Sequence, residues 1–162
     1  MNRITLLLTL VIVSLILFGC SSQAKNEPDN ELPEALTEVY QAYDQHLQNR
    51  VVSSNTILDS FSDALDSIYT GEISENQFFK VLKSDIIVTS QEIVKESESF
   101  DVHPSLFDLN TSFINYVNVQ HQLFLDAVDM ANEEKIQKEQ LRKRLVEIKE
   151  RQANIINTWK QT

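Results

Sequence analysis

The chain holds two glycines and three prolines in 162 residues, and none of them lies between Pro33 and Thr70. Sheet proteins need turn residues at short intervals, whereas helix interiors exclude glycine and proline. This scarcity restricts the chain to long helices joined at few points.

The apolar residues repeat accordingly. Leu36, Tyr40, Tyr43 and Leu47, then Ile57, Phe61, Ala64 and Ile68, recur at helical spacing, and Arg50 and Ser54 interrupt the row. Val51-Val52-Ser53-Ser54-Asn55 is a weak stretch, because β-branched residues lose rotamer freedom and Ser and Asn compete for backbone hydrogen bonds. The spacing predicts a first helix with a kink, or a break into two helices, near 51–55. Thr70-Gly71 is its stop.

Ser74 opens a second helix, and Gln77 three positions later completes a capping-box pattern. Phe78, Val81, Leu82, Ile86, Ile93 and Val94 mark its stripe to about Ser99, and His103-Pro104 ends the segment. The third helix is expected over about 105–131 and the fourth over about 133–159. Asn132 is the expected cap of the fourth, and Glu133 and Glu134 complement its dipole. One continuous helix over 105–159 is the alternative. The loss of apolar residues at Glu134 and Lys138 favours the hairpin. The expected fold is all-α, an up-down-up-down four-helix bundle of long helices whose C-terminus returns to the end where the domain starts.

The N-terminus has a different character. Arg3 is the only charge before Cys20, and the apolar run from Ile4 to Phe18 is shorter than the roughly 20 residues a helix needs to span a bilayer. It has the length of a signal-peptide core, and Gly19 precedes the only cysteine. Leu17-Phe18-Gly19-Cys20 resembles the lipobox of bacterial lipoprotein signal peptides, with Leu17, Gly19 and Cys20 matching and Phe18 bulkier than usual. The resemblance implies a diacylglyceryl group on the Cys20 thiol and cleavage before it. It divides the chain into a signal peptide (1–19), the lipidated Cys20 with a flexible polar tether (20–31) and a helical domain (32–162). Beyond the signal peptide, the chain is similar in architecture to the small helical lipoproteins of Gram-positive bacteria, a likeness that carries no residue roles.

Fourteen Lys and Arg stand against 24 Asp and Glu; with Arg3 removed the balance is 13 against 24, a net of −11. Such a surface disfavours nucleic acid, which needs a basic footprint. With Cys20 lipidated there is no free thiol for a disulfide, a metal or nucleophilic catalysis.

No chemistry-bearing motif stands out. Residues three before His46 and His121 are Tyr43 and Asn118, so the Glu-x-x-His of di-iron bundles is missing, and His103 falls in a loop. There is no Gly-rich phosphate loop and no nucleophile elbow. No metal, no cofactor and no enzymatic activity are expected. Asp59, Asp63 and Asp66 form an acidic stripe, read as a solvated face that meets the basic last helix.

Two surfaces remain. Residues 132–162 hold eight Lys and Arg against five Glu, and Arg142-Lys143-Arg144 is a candidate basic face for wall polymer or lipid phosphate. The plainer reading is a salt-bridged helix. Leu109 to Leu125 contains no charged residue, and Asn115, Asn118 and Gln122 share one helical face, with His121 beside it. That face either buries its amides inside the bundle or meets a protein partner or a second copy. Trp159 is expected in the core or at headgroup level. The sequence thus reads as a lipoprotein on the outer face of the cytoplasmic membrane, a non-catalytic interaction or envelope-associated module. The alternative is a binder of a small ligand in an apolar slot between helices.

Overall fold

The computed structural model describes residues 34–161, so the expected signal peptide, Cys20, the tether and the Leu32-Pro33 start lie outside the described residues. Helix α1 spans Glu34–Thr70. The second arm comprises α2 (Glu75–Val81), a π-turn (Leu82–Ile86) and α3 (Ile87–Glu98). A 3-10 turn (Pro104–Leu106) leads into α4 (Phe107–Asn132), and α5 is Lys138–Trp159. No strand occurs among the described residues. The all-α four-helix bundle is therefore shown, and the third and fourth helices form the hairpin.

α4 packs between α3 and α5, and α1 closes the bundle against both. At one end Tyr40 Oη donates to Ser105 Oγ at 3.3 Å, and Trp159 Nε1 donates to Asp44 Oδ1 at 2.6 Å. At the other end Tyr69 Oη donates to Glu139 Oε1 at 2.6 Å and Lys138 Nζ to the Ile68 carbonyl at 3.0 Å. The alternation of these contacts is the up-down-up-down order, with the C-terminus beside the start of α1. Between the ends, Phe61 meets Phe78 at 6.2 Å and Phe124 at 5.1 Å between ring centroids. Each such fully buried ring contributes about 1.5–3 kcal/mol relative to exposure.

Three expectations about the helices are corrected. No break into two helices occurs near 51–55, and α1 is assigned as one helix from Glu34 to Thr70. Ser54 is fully buried there and spends its hydroxyl on partners in α4. The local competition that weakens Ser in a helix is thus removed by tertiary contacts.

The second helix is not uniform. Phe78, Leu82, Ile86 and Ser90 are all buried, in successive steps of four residues. Each step of four drifts about 40° around an α-helix of 3.6 residues per turn. The π-turn at Leu82–Ile86 widens the helix locally and keeps all four on one face. The Ser74–Gln77 capping box forms as expected, Ser74 Oγ accepting from the Gln77 N–H at 3.2 Å and the Ser74 N–H donating to Gln77 Oε1 at 2.8 Å.

The fourth helix starts at Lys138, not near Glu133. Asn132 ends α4 and does not cap α5, whose N-cap residue Gln137 makes no side-chain cap bond. Glu134 has φ 54°, the left-handed conformation, with its N–H bonded to the Ala131 carbonyl and the Lys135 N–H to Met130. This is the Schellman ending usually made by glycine, and Gly71 (φ 76°) closes α1 in the same way. A glutamate at that position hides the stop from composition.

Candidate functional site

The side chains with most polar connectivity lie inside the bundle. Ser54 Oγ donates to Gln120 Oε1 at 2.8 Å, and Gln120 Nε2 donates to the Ser54 carbonyl at 2.9 Å. Tyr116 Oη donates to Ser54 Oγ and accepts from Gln152 Nε2 at 2.7 Å. All four residues are buried, and one polar layer ties α1, α4 and α5 together. Burial pushes the Tyr116 hydroxyl up to about 12, so it stays a donor. The directions close without an unpaired hydroxyl hydrogen. The layer was legible only as interruptions, since Ser54, Gln120 and Gln152 each occupy a position where the helical stripe predicts an apolar residue.

The sequence-predicted residues divide. Asn115, Asn118 and Gln122 are exposed, while the amides that α4 does bury are Asn110 and Gln120. Asn118 Nδ2 lies 3.3 Å from Glu98 Oε1, and Gln122 Nε2 donates to Asp126 Oδ1 at 2.7 Å. His121 is half-buried, its Nδ1 2.8 Å from Ser90 Oγ, and burial holds its ring below the ordinary imidazole value. The outward strip of α4 therefore carries Thr111, Ser112, Asn115, Asn118, Val119 and Gln122, all exposed and none charged. From Thr111 to Gln122 it runs about 17 Å.

The basic face does not stay together. Arg142 pairs with Asp66 and its guanidinium lies 4.8 Å from the centre of the Tyr69 ring. Arg144 pairs with Asp126 of α4, while Lys143 is exposed between them. Successive residues of a helix point about 100° apart, so the three aim at α1, at solvent and at α4. With Lys149 Nζ 3.3 Å from Asp59 Oδ1, the last helix pairs with two of the three residues of the acidic stripe of α1.

Two clefts flank the Pro104–Leu106 turn. One of about 350 Å³ is lined by Val39, Ala42, Tyr43, Phe100, Val102 and Leu106 among others. The second, about 400 Å³, lies between the start of α4 and the end of α5. Among the described residues no group of three or more His, Cys, Asp or Glu could hold a metal ion, and no helix is long and apolar enough to cross a membrane.

The fold and its surfaces define a helical bundle with a polar middle layer and a neutral outer strip on α4. No protein-family model, curated protein or solved structure matches the chain.

Proposed function

We propose that the chain is a lipoprotein anchored through Cys20 on the extracytoplasmic face of the membrane, and that its bundle is a non-catalytic module that binds an envelope protein through the outer strip of α4. The observation that carries this reading is the absence of charge on an exposed strip of α4 about 17 Å long. A second run of exposed uncharged residues lies on α1 between Gln41 and Thr56, whereas the outward positions of α3 and α5 are rich in Asp, Glu, Lys and Arg. Neutral amides can enter a desolvated interface without the penalty that a buried unpaired charge incurs.

The test is photo-crosslinking in the native cell, with crosslinkers at Asn115 and Asn118 and a comparison at Lys149. A discrete adduct at the first two positions alone supports the interface, and its mass distinguishes a partner from a second copy. Equal labelling at all three positions, or none, removes it. The anchor is tested separately with a clickable fatty acid. Label retained by Cys20→Ser would end the lipoprotein reading.

A second reading is supported by the 350 Å³ cleft beside Tyr43 and Phe100, whose volume falls in the range of small-molecule pockets. It makes the bundle a carrier of a small apolar ligand. A ligand that binds only the folded chain raises its melting temperature, so thermal shift with small apolar compounds decides it.

A further inference from the structure

Residues 99–106 join α3 to α4 at the end of the bundle where α1 begins. Two histidines hold this turn to α1. His46 of α1 stacks on Phe100, with ring centroids 3.9 Å apart and planes 22° apart. Its Nε2 is buried and has no hydrogen-bond partner. On the turn, His103 Nδ1 accepts the Ser105 N–H at 3.3 Å and lies 2.8 Å from Ser105 Oγ. Tyr40 Oη of α1 meets that Oγ at 3.3 Å.

The directions follow from one constraint. A ring nitrogen that accepts a backbone N–H carries no proton itself. The Ser105 hydroxyl therefore donates to Nδ1, which leaves its oxygen to accept from Tyr40. This chain of bonds, including the cap on the Pro104–Leu106 turn, exists only with His103 neutral. His46 imposes the same condition, because a second ring proton on its buried Nε2 would find no acceptor.

We propose that the 99–106 turn is a proton-sensitive clasp, released from α1 when His103 and His46 are protonated, so that the apolar cleft beneath it opens. A proton on His103 Nδ1 turns it from acceptor to donor, facing two groups that also donate. A charge on His46 sits one turn from Arg50, and burial, then Arg50, already hold that ring below the ordinary imidazole value. Both events act on the same turn in the same direction.

The ionisable groups around the two rings come from α1, α3 and the turn itself. α1 supplies Tyr40, Tyr43 and Arg50, and Glu96 of α3 pairs with Arg50 and offsets part of its charge. Asp101 lines the same cleft as His103 and Tyr43, and gives a cationic ring on the released turn a counter-charge. α5 contributes only the uncharged Trp159, held by Asp44 of α1 and in contact with Tyr40 and Tyr43. The opposite end of the bundle has no histidine, the chain's three being His46, His103 and His121. The effect is therefore confined to one end.

The test compares amide protection factors, which remove the intrinsic pH dependence of exchange, in the full-length chain in detergent at pH 7.5 and 5.0. These values bracket the range in which imidazoles as a class change charge. Amides of Ser105 and Leu106 are expected to lose about tenfold in protection, while those of Glu72 and Ile73 at the far end hold within about twofold. His103→Asn keeps a capping acceptor that does not titrate, and His46→Phe keeps the stack on Phe100. The double variant is expected to show no pH response at the turn. An unchanged response in the double variant, or parallel loss of protection at both ends of the wild type, overturns the proposal. Trp159 emission is an independent readout, being the only tryptophan and stacked on Tyr40 at 6.4 Å. Its change between the two pH values should survive His121→Gln and vanish in the double variant; the reverse pattern also overturns the clasp.

Discussion

Ser54 and Tyr116, 62 positions apart in the chain, share a buried hydrogen bond at mid-height of the bundle. The Ser54 hydroxyl accepts from Tyr116 and donates to Gln120, so one small side chain serves two larger ones. Ser54→Ala leaves Gln120 Oε1 without its donor and Tyr116 Oη without its acceptor. Each orphaned group costs about 1–3 kcal/mol, and the expected loss is about 2–4 kcal/mol, read as a lower urea midpoint at unchanged slope. Adding Tyr116→Phe removes one of the orphans, and the double-mutant cycle should show a coupling of about 1 kcal/mol or more. Additive single effects would mean that the layer is not a connected network.

Two helix ends allow the cost of a left-handed residue to be measured in both directions. Gly71 and Glu134 occupy the same position in equivalent Schellman endings, with φ of 76° and 54°. Nothing lies within 4 Å of a Cβ built on Gly71, so Gly71→Ala tests the backbone alone. It should destabilise by about 1 kcal/mol, and Glu134→Gly should stabilise by about 0.5–1 kcal/mol despite the entropy glycine adds to the unfolded chain. Thermal melts of both variants check this, and a Glu134→Gly chain that melts below wild type refutes the assignment.

These positions also mark where the sequence was readable. The apolar rows of Tyr43, Leu47, Phe61, Phe113, Phe124 and Leu141 point inward as their spacing requires, and all are buried. The Ser74–Gln77 box forms because both partners are local. The failures are all tertiary or conformational. Ser54 weakens a helix only while its hydroxyl lacks a distant partner. The π-turn is written in the repeated four-residue step from Phe78 to Ser90, a period intermediate between familiar patterns. Glu134 adopts a glycine conformation without being glycine. For the candidate surfaces, the neutrality of 109–125 was visible, but whether Asn115 or Gln120 faced outward required the phase of α4 in the bundle.

Stability should fall with mild acid. His46 and His121 are both held below the ordinary imidazole value, His46 by burial and then by Arg50, His121 by burial. A ring with a lower value in the folded state binds fewer protons there than in the unfolded chain. The unfolded state is thus favoured by added protons. Stability is full above about pH 6.5 and is lost as the pH falls from there through the lower folded-state values. The urea midpoint should drop between pH 7.5 and 5.5, and His121→Gln, which keeps a polar group near Ser90, should shrink the drop. A midpoint that rises over this interval contradicts the burial of both rings.

The two amides Asn115 and Gln120 of α4 separate interface from core. Asn115 is exposed and Gln120 is 1 % exposed, bonded to Ser54 through both ends of its amide. Asn115→Lys places an ammonium in water and should change stability by no more than about 0.5 kcal/mol. Gln120→Lys places one inside the polar layer with no acidic partner and orphans the Ser54 groups, a change of several kcal/mol that should unfold the chain. The same pair bears on function. Asn115→Lys puts a charge in the middle of the neutral strip, where a desolvated partner must bury it unpaired. The folded variant should therefore lose the crosslink formed at Asn118 in cells, with circular dichroism and melting temperature unchanged. A folded Asn115→Lys chain that still forms the adduct would place the binding surface elsewhere on the bundle.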